Sequence, residues 1–132
     1  MTHLLDTNVC IDVLLGESSV IDRIRILSPD DCVISSITYF ELISGARKAS
    51  HPDSEASKIH RLASTLLLQS FDSRAAEQAA MIRTTLENAG RKIGAYDTLI
   101  AGHAMALGLI CVTNNVREFS RVQGLQIENW HE

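Results

Sequence analysis

Three acidic residues that lie far apart in the chain are of the right type to bind a metal ion together. Asp6 lies in the segment LLDTN, Glu41 in TYFEL and Asp97 in AYDTLIAGHA. Each of them falls where a predicted secondary-structure element begins or ends. A fold that brings these ends together would build one acidic pocket, and metal-assisted hydrolysis of a phosphodiester bond is the leading chemistry for such a pocket.

Two further oxygen-bearing side chains follow a predicted strand near the end of the chain. Asn115 and Glu118 come after the segment LICVT. The acidic and amide positions are therefore all predicted to fall at, or just past, the carboxyl ends of parallel strands. Ligands bind at this edge of open α/β sheets, because the loops there leave a crevice.

The charge of this pocket predicts a divalent cation. Three carboxylates about 5 Å apart would repel one another by roughly 3 kcal/mol per pair at an effective dielectric constant near 20. A bound cation offsets that repulsion. Carboxylate oxygens are hard ligands, which select Mg²⁺ or Mn²⁺ over zinc.

Each acid also has an explanation that requires no metal. Asp6 has the side chain of a helix cap. Thr38 and Glu41 match the Thr-x-x-Glu pattern of a capping box. Asp97 lies at a helix N-terminus, whose dipole favours a negative charge. These alternatives stay open for each residue taken singly, and only the common placement at one sheet edge favours a site.

The elements that must position these residues alternate along the chain. Strands are predicted at residues 3–6, 32–35, 67–71, 109–113 and 125–127, and helices at 7–15, 18–27, 37–49, 54–66, 73–89 and 96–107. Short apolar runs that alternate with longer helical patterns predict an α/β fold with a central parallel sheet flanked by helices. The length of 132 residues and the 45% hydrophobic content predict a single domain over residues 1–132.

Composition excludes several other classes of protein. The formal net charge of −4 argues against a protein that coats nucleic acid, since such binding needs many phosphate contacts from Lys and Arg. A locally gripped nucleic-acid substrate remains compatible with it. No signal-like start and no apolar run near the roughly 20 residues that span a bilayer are seen, which predicts a cytoplasmic protein.

The cysteines and one histidine are predicted to be structural. Cys10, Cys32 and Cys111 have no paired-ligand spacing of the kind that zinc sites show, and two of them lie in apolar runs. They are predicted to be buried, reduced thiols. His103 lies in an alanine-rich helical segment and is predicted to pack in the core.

The motifs together resemble a known family. The segments are LLDTNVCIDVL, SSITYFELISGARKA, IGAYDTLIAGHAMALGLICVTNNVREF and GLQIENW, and they resemble PIN-domain ribonucleases of the VapC toxin type. The resemblance covers nearly the whole chain. It implies a three-layer α/β fold, Mg²⁺- or Mn²⁺-dependent cleavage of RNA, a homodimer, and a cognate antitoxin that occupies the active site. The ending resembles the subgroup that cuts initiator transfer RNA.

The resemblance also implies roles for individual residues. Asp6 and Asp97 become the principal metal ligands, and Glu41 completes the acidic centre by orienting or deprotonating the attacking water. Asn115 stands where many PIN domains have a fourth aspartate. A neutral amide is a weaker ligand, so one well-occupied metal is expected, with Glu118 as a compensating acid. The products should carry a 5′-phosphate and a 3′-hydroxyl.

Two other functional classes are compatible with acids at strand ends. A receiver-like phosphoacceptor domain would need paired acids after the first strand and a lysine after a late strand, whereas this chain has a lone Asp6 and then Asn114 and Asn115. A catalytically silent binding module would keep the fold and lose the chemistry.

Overall fold

The computed structural model describes residues 1–131, which form five short strands and seven helices. The strands are β1 (His3–Leu5), β2 (Cys32–Ser35), β3 (Leu67–Gln69), β4 (Ile110–Val112) and β5 (Ile127–Glu128). The helices are α1 (Thr7–Leu14), α2 (Ser18–Ile26), α3 (Ser36–Arg47), α4 (Pro52–Thr65), α5 (Ser73–Asn88), α6 (Ala95–Leu107) and α7 (Val116–Phe119). A 3-10 turn at Pro29–Asp31 leads into β2. Within residues 1–131, no helix is both long and apolar enough to cross a bilayer.

All five strands are parallel, in the order β3-β2-β1-β4-β5. His3 of the central strand pairs with Cys32 on one side and with Ile110 on the other. The predicted parallel α/β sheet is therefore confirmed, and every predicted strand and helix is found. The boundaries of β3 and β5 differ from the prediction by up to two residues, and α7 and the 3-10 turn were missed.

Alternate strand residues face two separate apolar cores. Leu5 and Ile34 belong to the core beneath α1, α2, α3 and α4. Leu4 and Val33 belong to the core beneath α5 and α6. Successive side chains of a strand point to opposite faces, so a sheet buried on both sides produces this division. The result is the three-layer arrangement that the resemblance implied.

The residues predicted to be structural lie in these cores. Cys10, Cys32 and Cys111 are buried and free, as predicted. His103 is 2% exposed, which confirms its packing in the core.

Helices α5 and α6 pack closely because small residues face each other. A Cβ atom built on Gly102 would lie 2.6 Å from both the Cα and the Cβ of Ala79. Atoms in folded proteins do not approach so closely, so a larger residue at this position would push the two helices apart. Helix α6 carries Asp97 in its first turn, and this helix spacing therefore helps to set the position of the acidic residue.

Substitution of Gly102 by alanine is expected to destabilise the protein. The added methyl group would force the backbones of α5 and α6 apart, which should lower the free energy of unfolding by about 3 kcal/mol. Urea denaturation measures the change. Gly45→Ala in α3 is the matched control, because nothing lies within 4 Å of a Cβ at that position. It should raise the free energy of unfolding by about 0.5 to 1 kcal/mol. Equal effects of the two substitutions would contradict the close packing.

Candidate active site

Asp6 lies at the junction between β1 and α1 and is 2% exposed. Its Oδ1 accepts a hydrogen bond from the backbone N–H of Val9 at 2.9 Å, so Asp6 does cap α1. Burial raises the pKa of this carboxyl group, and the Thr113 hydroxyl and the Val9 N–H oppose that effect. The cap uses one lone pair of Oδ1, and a carboxylate has about four lone-pair sites for its partners. The cap and the proposed metal role are therefore compatible.

Glu41 in α3 is joined to the start of α1, the helix that Asp6 caps. Its Oε1 accepts a hydrogen bond from the Thr7 hydroxyl at 2.6 Å, and Thr7 Oγ1 lies 3.1 Å from Thr38 Oγ1. Thr7 follows Asp6 directly in the chain. Glu41 therefore faces the same sheet edge as Asp6, as predicted.

The capping-box alternative for Thr38 and Glu41 is wrong. Helix α3 follows β2 without an intervening loop, and its N-cap is Ser35, whose hydroxyl accepts a hydrogen bond from the N–H of Ile37. Thr38 is therefore already inside the helix, and Glu41 lies in the second turn. The Glu41 carboxylate is then free to contact a residue from another element.

Asp97 reaches the sheet edge from a helix rather than from a strand. Residues 89–94 join α5 to α6 without a strand, so the prediction that every site residue follows a strand was wrong for Asp97. Helix α6 ends at the start of β4, which places its own start at the carboxyl edge of the sheet. The N-cap of α6 is Gly94, and Asp97 is the third residue of the helix. Asp97 therefore adds its charge near the positive end of the helix dipole.

Asn115 joins two of the predicted site carboxylates. Its Nδ2 donates hydrogen bonds to Asp97 Oδ2 at 3.2 Å and to Glu118 Oε2 at 2.6 Å. Glu118 lies in α7, the short helix that begins directly after Asn115. The structure thus confirms that Asn115 and Glu118 reach the same edge as Asp97.

Negative charge dominates this edge of the sheet. The pKa of Asp97 is raised to about 6, first by burial, then by the neighbouring Glu118 and by Asp6, and the Asn115 hydrogen bond opposes the rise. In the part of the chain that the structure describes, no Lys or Arg forms an ion pair with Asp6, Glu41, Asp97 or Glu118. Among the described residues, no lysine or arginine therefore neutralises these carboxylates.

The chemistry of these side chains fits a hard divalent cation. All of the predicted ligands are oxygen donors, and burial raises the pKa values of Asp6 and Asp97, so a bound cation would stabilise their charged forms. The ligand set is not preassembled, however. Over residues 1–131, no three His, Cys, Asp or Glu side chains form a group that would hold a metal ion. Hydrogen bonds tie Asp97 and Glu118 to Asn115 instead.

The sequence and the fold both match one family. The PIN domain family model matches residues 3–125. The chain is 42% identical over 131 residues to a tRNA(fMet)-specific endonuclease VapC from Shigella flexneri, with 98% of each chain covered. It is 37% identical to Ribonuclease VapC2 from Haemophilus influenzae, again over 98% of each chain.

The chain belongs to the VapC family of PIN-domain nucleases.

A solved structure agrees with this assignment. The crystal structure of DNA-bound VapBC from Salmonella typhimurium contains a chain that matches this one with a TM-score of 0.94 and 38% identity, over 98% of both chains. The predicted family and the PIN fold are thereby confirmed. The receiver-like alternative is not favoured.

His103 links the two helices that carry Asp97 and Glu41. Its Nδ1 lies 2.8 Å from Ser35 Oγ, and Ser35 is the N-cap of α3. Burial lowers the pKa of His103, so the imidazole is neutral near pH 7. The contact joins α6 to the start of α3, and so relates the helix of Asp97 to the helix of Glu41. Sequence analysis predicted the burial of His103 and missed this hydrogen bond.

Residues 128–131 make contacts of their own, one of them with helix α1. His131 Nε2 is hydrogen-bonded to Asp12 Oδ2, and the charge of His131 lowers the pKa of Asp6. Glu128 of β5 accepts a hydrogen bond from Trp130 Nε1 at 2.9 Å. Sequence analysis gave no role to His131, because no local pattern relates it to a residue 119 positions earlier.

Proposed function

We propose that this chain is a Mg²⁺- or Mn²⁺-dependent endoribonuclease that cleaves transfer RNA, with initiator transfer RNA as the expected target. One observation carries the proposal. Asp6, Asp97 and Glu118 lie at the carboxyl edge of the sheet, where burial first, and then the neighbouring Glu118 and Asp6, raise the pKa of Asp97 to about 6. The target is supported by relatives named tRNA(fMet)-specific endonucleases, which are 42% and 40% identical to this chain.

The proposed roles follow from the contacts of each residue. Asp6 and Asp97 would hold the divalent cation, with Glu118 beside Asp97. When it is bound, the cation neutralises these carboxylates and stabilises negative charge on the scissile phosphate. Asn115 orients Asp97 and Glu118 through its two hydrogen bonds.

Glu41 is the proposed general base. The Thr7 hydroxyl holds Glu41 Oε1, which leaves Oε2 to orient the attacking water and accept its proton. Attack by water on the phosphate would leave a 5′-phosphate and a 3′-hydroxyl. A 2′,3′-cyclic phosphate would instead show that the RNA supplied the nucleophile.

The same carboxylates suggest how the enzyme is inhibited. We propose that the chain is the toxin of a toxin–antitoxin pair, that it forms a homodimer, and that the antitoxin blocks the site. Solved relatives are described as VapBC complexes, and they match this chain with TM-scores of 0.94 and 0.92. An Arg or Lys side chain from the antitoxin would form charge-assisted hydrogen bonds with the unneutralised acids. The free, buried cysteines are consistent with the proposed location in the cytoplasm.

Metal-dependent cleavage of RNA tests the proposed activity. Antitoxin-free protein incubated with total cellular RNA is expected to cut at defined sites with Mg²⁺ or Mn²⁺ and not with EDTA, and sequencing of the ends maps the sites. Asp6→Ala should lower the cleavage rate by about a hundredfold or more, because a metal ligand is lost. Asp30→Ala is the matched control, since Asp30 is an exposed acid in the turn before β2. Absence of any cleavage by the wild type would favour the silent binding module.

A further inference from the structure

Two exposed aromatic residues are the chain neighbours of two acids of the candidate site. Phe40 and Tyr96 directly precede Glu41 and Asp97 in the chain, and they are 54% and 45% exposed. Their ring centroids are 6.0 Å apart, with planes inclined by 42°. The chain has six aromatic residues, all within residues 1–131, and only these two are exposed. Their exposure is therefore a local feature of the site and not a general property of the surface.

The geometry of the pair leaves only its outer faces available to a ligand. A planar group inserted between two rings needs about 7 Å, which is twice a van der Waals contact of about 3.5 Å. The centroid distance of 6.0 Å and the inclination of 42° do not provide that space. The two rings instead pack against each other in a tilted contact, which aromatic pairs favour. A planar ligand would stack on an outward face of the pair.

The groove that contains Phe40 continues along α3 to two cations. The groove is lined in part by Phe40, Ser44, Arg47 and Lys48. Successive members of this set are four, three and one residues apart, which places them on one side of the helix. Lys48 lies about 12 Å along the helix axis from Phe40. Arg47 forms an ion pair with Asp53 at 3.5 Å, but both side chains are largely exposed. Such a pair is weak in water, so Arg47 can exchange it for another anion.

We propose that Phe40 and Tyr96 stack an unpaired base of the RNA next to the scissile phosphate, while Arg47 and Lys48 contact the RNA backbone. The proposal rests on the proposed nuclease function. Bases that are splayed out of a loop stack readily on aromatic side chains, and this contact is tolerant of base identity. The two rings are therefore positioning residues, which hold the strand across the acidic centre without selecting the sequence.

RNA fits this surface better than a protein partner does. Phe40 and Tyr96 are the chain neighbours of Glu41 and Asp97, with Cα atoms about 3.8 Å from theirs. A base that flanks a phosphate held at these acids would therefore be within reach of the two rings. The cations at the far end of the groove match the charge of a phosphodiester backbone. A purely apolar protein interface would leave Arg47 and Lys48 without a partner of opposite charge. A protein occupant of the groove is accordingly one of the outcomes that the test distinguishes.

Measurements of KM and kcat on a short RNA distinguish stacking by Phe40 and Tyr96 from a purely structural role of these rings. The substrate is a single-stranded oligoribonucleotide that contains the mapped cleavage site. Phe40→Leu and Tyr96→Leu should each raise KM about tenfold, because one stacking contact is lost. The value of kcat should change much less. Tyr96→Phe keeps the ring and should restore a low KM. Ile26→Ala is the matched control, because Ile26 is an 81% exposed apolar residue at the end of α2, outside the groove.

A spectroscopic signal reports the stacking directly. The fluorescent base 2-aminopurine, placed in turn at each position that flanks the cleavage site, should be quenched at one position when wild-type protein binds in metal-free buffer. Both leucine variants should lose that quenching, and Tyr96→Phe should keep it. Removal of the base at that position should raise the KM of the wild type to the level of Tyr96→Leu, and should affect Tyr96→Leu little.

The alternative outcomes lead to different conclusions. If the wild type cleaves RNA but both leucine variants keep the wild-type KM and quenching, stacking is overturned and the nuclease function stands. If the wild type cleaves no RNA with either metal, the proposed function itself fails. If sedimentation velocity shows that the leucine variants lose a dimer that the wild type forms, the rings belong to a protein interface and the proposal is overturned.

Discussion

Asp97→Asn is expected to lower the rate of RNA cleavage strongly and, without metal, to make the fold more stable. Burial and the nearby Glu118 and Asp6 raise the pKa of Asp97 to about 6, so its charged form is disfavoured in the folded protein. A carboxyl group whose pKa is higher in the folded state costs stability as the pH rises from its ordinary value of 3.8 through about 6. Asparagine has nearly the same shape and removes that charge.

The size of the effect depends on pH and on metal. At pH 7.5 without metal, Asp97→Asn should raise the free energy of unfolding by about 1 to 2 kcal/mol, which is less than the full pKa shift implies because Asp97 is partly exposed. At pH 4 the difference should nearly vanish, since the wild-type carboxyl group is then largely protonated. Mg²⁺ should raise the melting temperature of the wild type and have little effect on the variant. Cleavage should fall by about a hundredfold or more.

Thermal unfolding with and without Mg²⁺, at both pH values, measures the stability changes. Asp30→Asn removes an exposed acid in the turn before β2 and serves as the control. A variant that is less stable than the wild type at pH 7.5 without metal would show that the charge of Asp97 does not destabilise the fold. A variant that gains as much stability from Mg²⁺ as the wild type would show that this charge does not bind the metal.

Most of the fold was predictable because its signals are local. The apolar run at Cys32–Ser35 is a strand with the predicted bounds, and α5 begins at the predicted Ser73. Helix α7 was missed because four residues, Val116–Phe119, are too few to show a helical period. This short helix matters for the site, since it brings Glu118 within 2.6 Å of Asn115.

The sequence was sufficient to predict which residues form the candidate site. It did not predict the hydrogen bonds that join them. Asp6 follows a strand directly, so the sequence was enough to place it at the sheet edge. The hydrogen bond between Thr7 and Glu41 joins residues 34 positions apart, and the contact between Ser35 and His103 joins residues 68 positions apart. Such contacts depend on how the helices pack on the sheet, and no local pattern encodes them. The position of Asp97 at the sheet edge was also not encoded locally, because it depends on the direction in which α6 runs.

Asn115→Asp is expected to make the protein depend on metal for its stability. In the wild type, the Asn115 amide donates hydrogen bonds to both Asp97 and Glu118. An aspartate there would replace two attractions with two repulsions, each worth up to about 4 kcal/mol at 4 Å and an effective dielectric constant near 20. Partial exposure weakens them, so the free energy of unfolding without metal should fall by about 2 kcal/mol or more.

Excess Mg²⁺ or Mn²⁺ should reverse this loss, since the variant offers one more charged ligand. Melting temperatures over a metal titration measure the reversal, and calorimetry counts the bound ions. One well-occupied metal is expected for the wild type and a second for Asn115→Asp. Asn114→Asp is the matched control, because it adds the same charge at the neighbouring, exposed position. If both variants respond alike, net charge alone is responsible. If only Asn115→Asp gains the metal dependence, the Asn115 amide is the feature that keeps this acidic centre stable without a cation and limits it to one.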